Sequence, residues 1–354
     1  MLPLPLTKFQ VSMSSQLLNH SSTSSSTFFT SKNYAPNNRT SFNNYLPLPR
    51  AVSLTSTCSW VRRKAKVHVH SPQGSREEVR EEEQEQEEEY QVLSAVRSKF
   101  NDIIIVDTAK ARMLLLDSTN NVHSILNKEG ERWTGSYWDE FVSLPAVIPE
   151  GPIAIFGLGG GTAAHLMLDV WPSLEIEGWE IDEILIDKAR EFFGLSDLEN
   201  HTQSGGVLNI RIDDALSPTG TDCKRYAGII IDLFCEGKVL PQLEEVETWL
   251  ELKGRLAPNG RIMVNCSGIN EESDSIEARH LSKSVDGMWV ENSTIMALSK
   301  AFPGQLSWKK MSENKGANYL ALTGPLPDLT SWSSAVPGHL SENVMQWRPC
   351  SSVN

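Results

Sequence analysis

The sequence predicts an α/β fold, a doubly wound and mostly parallel sheet preceded by a small N-terminal β meander. Three observations carry this. From residue 151 onward, apolar runs of strand length alternate with helical stretches, the pattern of a parallel sheet with helical crossovers. The run Ile153-Ala-Ile-Phe156 feeds into the turn Gly157-Leu-Gly-Gly-Gly-Thr162, and the next strand closes on Glu180-Ile-Asp182. Upstream, three short apolar runs lie between residues 101 and 127, separated by turn-prone residues.

The N-terminal 76 residues contain no Asp or Glu and nine Lys or Arg, with dense Ser, Thr and Asn. That composition reads as an organellar transit peptide. The lack of an uninterrupted apolar core argues against a secretory signal, and abundant Ser and Thr favour a plastid, so the chloroplast stroma is the expected location. Cleavage is expected between about Cys58 and Ser75. Nine glutamates follow within the thirteen residues from Glu77 to Glu89. They repel one another and offer no apolar face, so residues 77–100 read as an acidic linker.

Losing the first 76 residues would move the formal charge from −13 to −22. A nucleic-acid partner is therefore not expected, because phosphate backbones need a basic footprint. There is no run of eighteen apolar residues, so no membrane span is expected. Cys223, Cys235, Cys266 and Cys350 have neither metal-type spacing nor a disulfide pattern; they read as reduced thiols, and no metal is expected.

Residues 101–145 read as the small β domain, with Ile103-Ile-Ile-Val106, Met113-Leu-Leu-Leu116 and Val122-His-Ser-Ile-Leu126 as its strands, then a helix ending before Pro145. The nucleoside-binding domain is placed at 151–324. Its predicted elements are strand 153–157, helix 162–170, strand 174–180, helix 183–193, strands 207–213 and 228–234, helix 242–256, strand 261–266, helix 293–301, and a closing antiparallel pair at 306–310 and 319–323. The polar segment 269–291 has no assigned role and reads as a lid or insertion. Residues 325–354, rich in Pro and Ser, read as an extended tail.

In such a sheet the ligand lies beyond the carboxyl ends of the strands. Gly157, Gly159 and Gly161, with Gly160 among them, leave room for a tight turn and close approach to a ligand, and Glu180 stands where it would accept hydrogen bonds from ribose hydroxyls. Ile181 and Asp182 continue that strand end. Asp214, beside Ala215, suits the exocyclic amine of adenine. Asp232 ends the apolar strand Gly228-Ile-Ile-Ile-Asp232 and faces the centre of the crevice. An acid at a strand end also serves as a turn or helix cap.

The glycine run, Glu180-Ile-Asp182, Asp214, Asp232, Leu256-Ala-Pro-Asn-Gly260 and the leading meander together resemble the spermidine synthase family, within the Rossmann-like class I methyltransferase fold. The resemblance spans about residues 101–324. It implies a seven-stranded sheet, a small-molecule substrate, ribose and adenine contacts at Glu180 and Asp214, a base toward the attacking amine at Asp232, and a homodimer formed through the N-terminal β region.

The departures fall on the amine-handling positions. The family reads Gly-Gly-Gly-Asp-Gly-Gly; matched on Gly159-Gly-Gly161, its acid becomes Thr162. A second acid, four residues into the segment that starts at Asp232, becomes Cys235. The family's Tyr and Glu around the polyamine correspond to Trp138-Asp139-Glu140, with Glu140 kept and the tyrosine replaced or shifted to Tyr137. Each acid beside an ammonium is worth about 1.5 to 3 kcal/mol.

This spelling of the loop resembles a divergent spermidine-synthase-like branch. A carboxylate at 162 would repel that of intact S-adenosylmethionine, so threonine there admits either that cofactor or its decarboxylated form as co-substrate. The readings are aminopropyl transfer to an amine in polyamine biosynthesis, methyl transfer to an unknown acceptor, and a nucleoside-binding regulator without chemistry. A dehydrogenase fits less well, since Gly157-x-Gly159-x-x-Thr162 lacks the third small residue in register. Cys235 as a reactive thiol has only Lys238 nearby to activate it, which favours a passive pocket wall.

Overall fold

The computed structural model describes residues 63–65, 88–119, 121–128, 130–217, 224–268, 289–312 and 318–350, all within one compact unit. The segment expected to be a transit peptide, apart from 63–65, and most of the polar segment, 269–288, lie outside the described residues.

The N-terminal part is a five-stranded antiparallel sheet in sequential order: β1 (Arg63–Ala65), β2 (Glu88–Arg97), β3 (Asp102–Thr108), β4 (Ala111–Leu115) and β5 (Ser124–Asn127). The expected linker therefore contains a full strand. Past the glutamate run, Tyr90-Gln-Val-Leu-Ser-Ala-Val96 is β-prone, and Tyr90 and Leu93 pack on the buried residues of β3 and β4. The sheet packs Ile103, Ile105 and Leu114 against Leu185 and Phe193 of the larger domain.

After α1 (Tyr137–Phe141) and a 3₁₀ turn at Leu144–Val147 comes the main sheet. Its parallel strands are β6 (Ile153–Phe156), β7 (Glu175–Glu180), β8 (Val207–Ile212), β9 (Tyr226–Ile231) and β12 (Leu256–Asn265), and a two-residue hairpin, β10 (Phe234–Cys235) with β11 (Lys238–Val239), follows β9. β13 (Leu306–Lys310) and β14 (Tyr319–Thr323) close it antiparallel, and β15 (Arg348–Pro349) adds an eighth strand, giving the order β15-β13-β14-β12-β9-β6-β7-β8. The crossovers are α2 (Thr162–Val170), α3 (Glu183–Phe192) with α4 (Leu195–Leu198), α5 (Val246–Gly254) and α6 (Ser293–Ala301). The mixed α/β architecture with a small N-terminal antiparallel sheet is the one predicted.

Alternation within β6 divides the core. Ile153 and Ile155 face a layer containing Phe141, Met167 and Trp332, whereas Ala154 and Phe156 face one containing Trp249, Ile295 and Leu298. Residues 325–350 are not an extended tail: they form α7 (Leu329–Ala335), α8 (Gly338–Val344) and β15. Trp332 and Trp347 are 2 % exposed, stack with ring centroids 5.8 Å apart, and belong to the first layer. Their spacing hid this from periodicity, because each short helix contributes only a few core residues.

The glycine turn is tightly enclosed. At Gly157 the backbone is left-handed (φ 85°), and a Cβ would run into the backbone carbonyl of Asp232. Gly157→Ala is accordingly expected to cost about 1–3 kcal/mol from backbone strain alone, with the clash in addition, read as a lowered denaturant midpoint.

Candidate functional site

The carboxyl ends of β6, β7, β8, β9 and β12 bring most of the predicted residues to one side of the sheet. The Asp232 carboxylate is the centre of a network. Its Oδ2 accepts from the Tyr137 hydroxyl at 3.1 Å and the Trp138 indole N–H at 3.2 Å, and its Oδ1 accepts from Asn265 Nδ2 at 2.9 Å. Asn265 is in turn oriented by Asn318, whose Nδ2 donates to Asn265 Oδ1 at 3.1 Å. Burial raises the Asp232 carboxyl to about 6, against the lowering pull of its three side-chain donors. Tyr137 is pushed well above the ordinary phenol value by burial and by the neighbouring Asp232 charge, so it stays protonated as a donor. Tyr137 thus keeps its place beside the acid, and Trp138 joins it.

Glu180 folds back onto the backbone at the end of β7. Its Oε2 accepts from Gly159 N at 3.1 Å, and its Oε1 from Ile181 N at 3.0 Å and Asp182 N at 3.2 Å. Burial raises its pKa, partly offset by the Gly159 and Asp182 N–H groups. Next to it the Ile181 side chain is 42 % exposed, an apolar surface of the kind a purine ring covers. Asp214, at the end of β8, closes a turn by accepting from Leu216 N at 2.9 Å and remains exposed. The loop carrying it is clamped by Arg255, which donates to the carbonyls of buried Ala215 (2.6 Å) and Ser217 (2.7 Å) and lies 5.8 Å from the Phe156 ring centroid.

The N–H groups of residues 157–161 are all bonded within the protein. Gly157 N and Leu158 N donate to the Trp179 carbonyl at 3.0 Å each, Gly159 N to Glu180, Gly160 N to Ser124 Oγ at 2.8 Å, and Gly161 N to the Leu158 carbonyl at 2.9 Å. Ser124, at the start of β5, sits so close that a Cβ on Gly160 would lie 2.8 Å from its own.

Several expected ligand-side residues are turned elsewhere. Thr162 exchanges two hydrogen bonds with the Ile125 backbone, at 2.8 and 2.9 Å, tying β5 to α2. Asp182 is buried, caps α3 through Leu185 N at 3.3 Å, and accepts from Ser98 Oγ and Asn101 Nδ2, which anchors the N-terminal sheet. Asp139 accepts from Thr134 N, Thr134 Oγ1 and Gly135 N at 2.9, 2.7 and 2.9 Å. Glu140 is paired with Lys309 at 2.5 Å, both side chains 1 % exposed. Cys235 is exposed, in the β10–β11 hairpin around Glu236 and Gly237. Among the described residues no cluster of His, Cys, Asp and Glu could hold a metal ion.

Sequence reasoning passed over Asn265, Asn318, Ser124 and Arg255. Asn265 was within reach, because it stands where β12 stops. The others are brought in from strand starts and a helix end, where no strand-end rule applies.

No protein-family model matches the chain. Over 202 residues it is 25 % identical to the "Probable polyamine aminopropyl transferase" of Bifidobacterium longum (strain NCC 2705), a match covering 56 % of this chain and 43 % of that protein. The chain thus spans less than half the length of that relative. Among solved structures, the probable spermidine synthase from Corynebacterium glutamicum ATCC 13032 is 16 % identical, with a TM-score of 0.48 over 65 % of this chain and 79 % of that one. The spermidine synthase from Thermotoga maritima is 14 % identical, with a TM-score of 0.49 over 70 % and 77 %. With the sequence match, the strand-end acids and the meander preceding a mostly parallel sheet taken together, the chain is similar to the spermidine-synthase-like proteins of the class I S-adenosylmethionine-dependent methyltransferase fold.

Proposed function

We propose that this protein transfers the aminopropyl group of decarboxylated S-adenosylmethionine to an amine, with Glu180 and Asp214 holding the nucleoside and Asp232 receiving the proton. The observation that carries the choice of donor is the saturated glycine turn. The N–H groups of residues 157–161 have partners in the protein, Gly160 through Ser124, so this stretch of the turn offers no free donor to the carboxylate of intact S-adenosylmethionine or to a dinucleotide pyrophosphate. In the reaction the amine nitrogen attacks the methylene carbon next to sulfur. The C–N bond forms, the C–S bond breaks with its electron pair going to sulfur, neutral methylthioadenosine leaves, and the ammonium proton passes to Asp232.

Asp232 suits the proton transfer. With its carboxyl at about 6 it is ionised at neutral pH, yet more basic than an ordinary aspartate. A second reading, methyl transfer from intact S-adenosylmethionine, is favoured by Thr162 and Cys235, which leave the loop 157–162 and the segment after β9 without the acids the family carries there.

Thermal-shift and calorimetric titrations with both forms of the sulfonium nucleoside, methylthioadenosine and NAD separate these readings. The decarboxylated form is expected to bind best, and Glu180→Ala to weaken it about 10- to 100-fold, the worth of hydrogen bonds to a charged group. Preference for the intact form would move the assignment to methyl transfer, and a response to NAD alone would reject both.

The composition of residues 1–76 supports targeting to the plastid, which a fluorescent fusion to that segment tests. A homodimer through the N-terminal sheet is part of the same proposal; a monomeric mass in solution would refute it.

A further inference from the structure

The two acids that the sequence places around a polyamine are both sealed inside the protein. Glu140 meets Lys309 at 2.5 Å, with both side chains 1 % exposed, and Lys309 also donates to the Asn343 carbonyl at 3.2 Å and lies 5.6 Å from the Trp347 ring centroid. Asp139 receives the N–H and hydroxyl of Thr134 and the N–H of Gly135, and is 2 % exposed. Neither is placed to meet the far ammonium of a diamine.

What surrounds Asp232 is of another kind. Tyr137 and Trp138, with ring centroids 4.7 Å apart, both donate to Oδ2, and the neutral Asn265 donates to Oδ1. Among the described residues Asp232 is the one carboxylate in this network, and its immediate neighbours are aromatic or neutral. Such a site supplies one counter-charge and aromatic surface, which favours one cation with an apolar body.

Taking Asp232 as the group that receives the acceptor's proton, as in the reading above, we infer that the acceptor is a monoamine: a single ammonium held at Asp232, the rest of the molecule apolar, with no second cationic end. Among the described residues, Asp139 and Glu140 are already engaged and no second carboxylate joins this network, so the second ammonium of a diamine would be buried there without an acid, which is unfavourable.

The test is a calorimetric titration of the full chain, first with methylthioadenosine and then, on the saturated complex, with hexylamine, 2-phenylethylamine, 1,4-diaminobutane and 1,5-diaminopentane. The monoamines are expected to bind at least about tenfold more tightly than the diamines, and Asp232→Asn to lose that binding while keeping methylthioadenosine. Equal or tighter binding of a diamine, or no binding of any amine, overturns the inference. The methylthioadenosine step reports on the nucleoside site separately, so a diamine preference would remove the acceptor class and leave the transfer reading standing.

Discussion

Asp232→Asn is expected to lower turnover about 10² to 10⁴-fold, the usual worth of a positioned general base, while leaving the affinity for methylthioadenosine nearly unchanged. Asparagine keeps the volume of the side chain and an oxygen for its donors, but it cannot take the proton. The wild-type rate should rise with pH through about 6 as the carboxyl ionises, and the variant should lose that limb. Stability runs the other way. The folded carboxyl titrates above its unfolded value of 3.8, so the linked stability is fully present below about 4 and is lost as pH rises through 6. The variant should therefore gain in melting temperature relative to wild type across that window. Removing the donor with Asn265→Leu should move the kinetic limb to higher pH, since that hydrogen bond holds the carboxyl down. A variant with unchanged turnover would exclude Asp232 as the base.

How far the site could be read from the sequence follows from where each partner lies. The placement of Glu180, Asp214 and Asp232 at or just past strand ends was legible because a strand end is a local feature, and the parallel sheet puts all such ends on one side. The helix at Thr162–Val170 and the closing strands at Leu306–Lys310 and Tyr319–Thr323 stand where periodicity put them, because in each the local pattern and the packing agree. The roles of Thr162, Asp139, Asp182 and Glu140 were not legible. Each depends on specific partners, and for three of the four the hydrogen-bond partners named are distant in sequence: Ile125 for Thr162, Ser98 and Asn101 for Asp182, and Lys309 for Glu140. Spacing announces that an acid is present, not whether a cation already holds it. The C-terminal helices were missed for a related reason: Trp332 and Trp347 find their core only across the chain, Trp332 donating to the Ser143 carbonyl at 2.8 Å.

The Glu140–Lys309 pair yields the largest expected change in stability. Lys309 lies on β13 and Glu140 on α1, so the pair joins the strand next to the β15 edge of the sheet to the helix that presents Tyr137 and Trp138 to Asp232. Removing one partner leaves a fully buried charge without its counter-ion, and Lys309→Met is expected to cost about 3–5 kcal/mol. In a domain of this size each kcal/mol corresponds to roughly 2–4 °C, so the melting temperature should fall by about 6–20 °C. The double variant Glu140→Leu with Lys309→Met removes both desolvation penalties and should recover most of that loss, because a buried pair is often matched by apolar residues of similar volume. If the single variant melted like wild type, the pair would not be what joins the two elements. If the double were no better than the single, the loss would come from packing around Trp347 and not from an uncompensated charge. In the recovered double variant, methylthioadenosine and monoamine binding should match wild type. The acid at 140 would then be shown to serve the fold, and amine recognition would rest on Asp232 and the aromatic residues beside it.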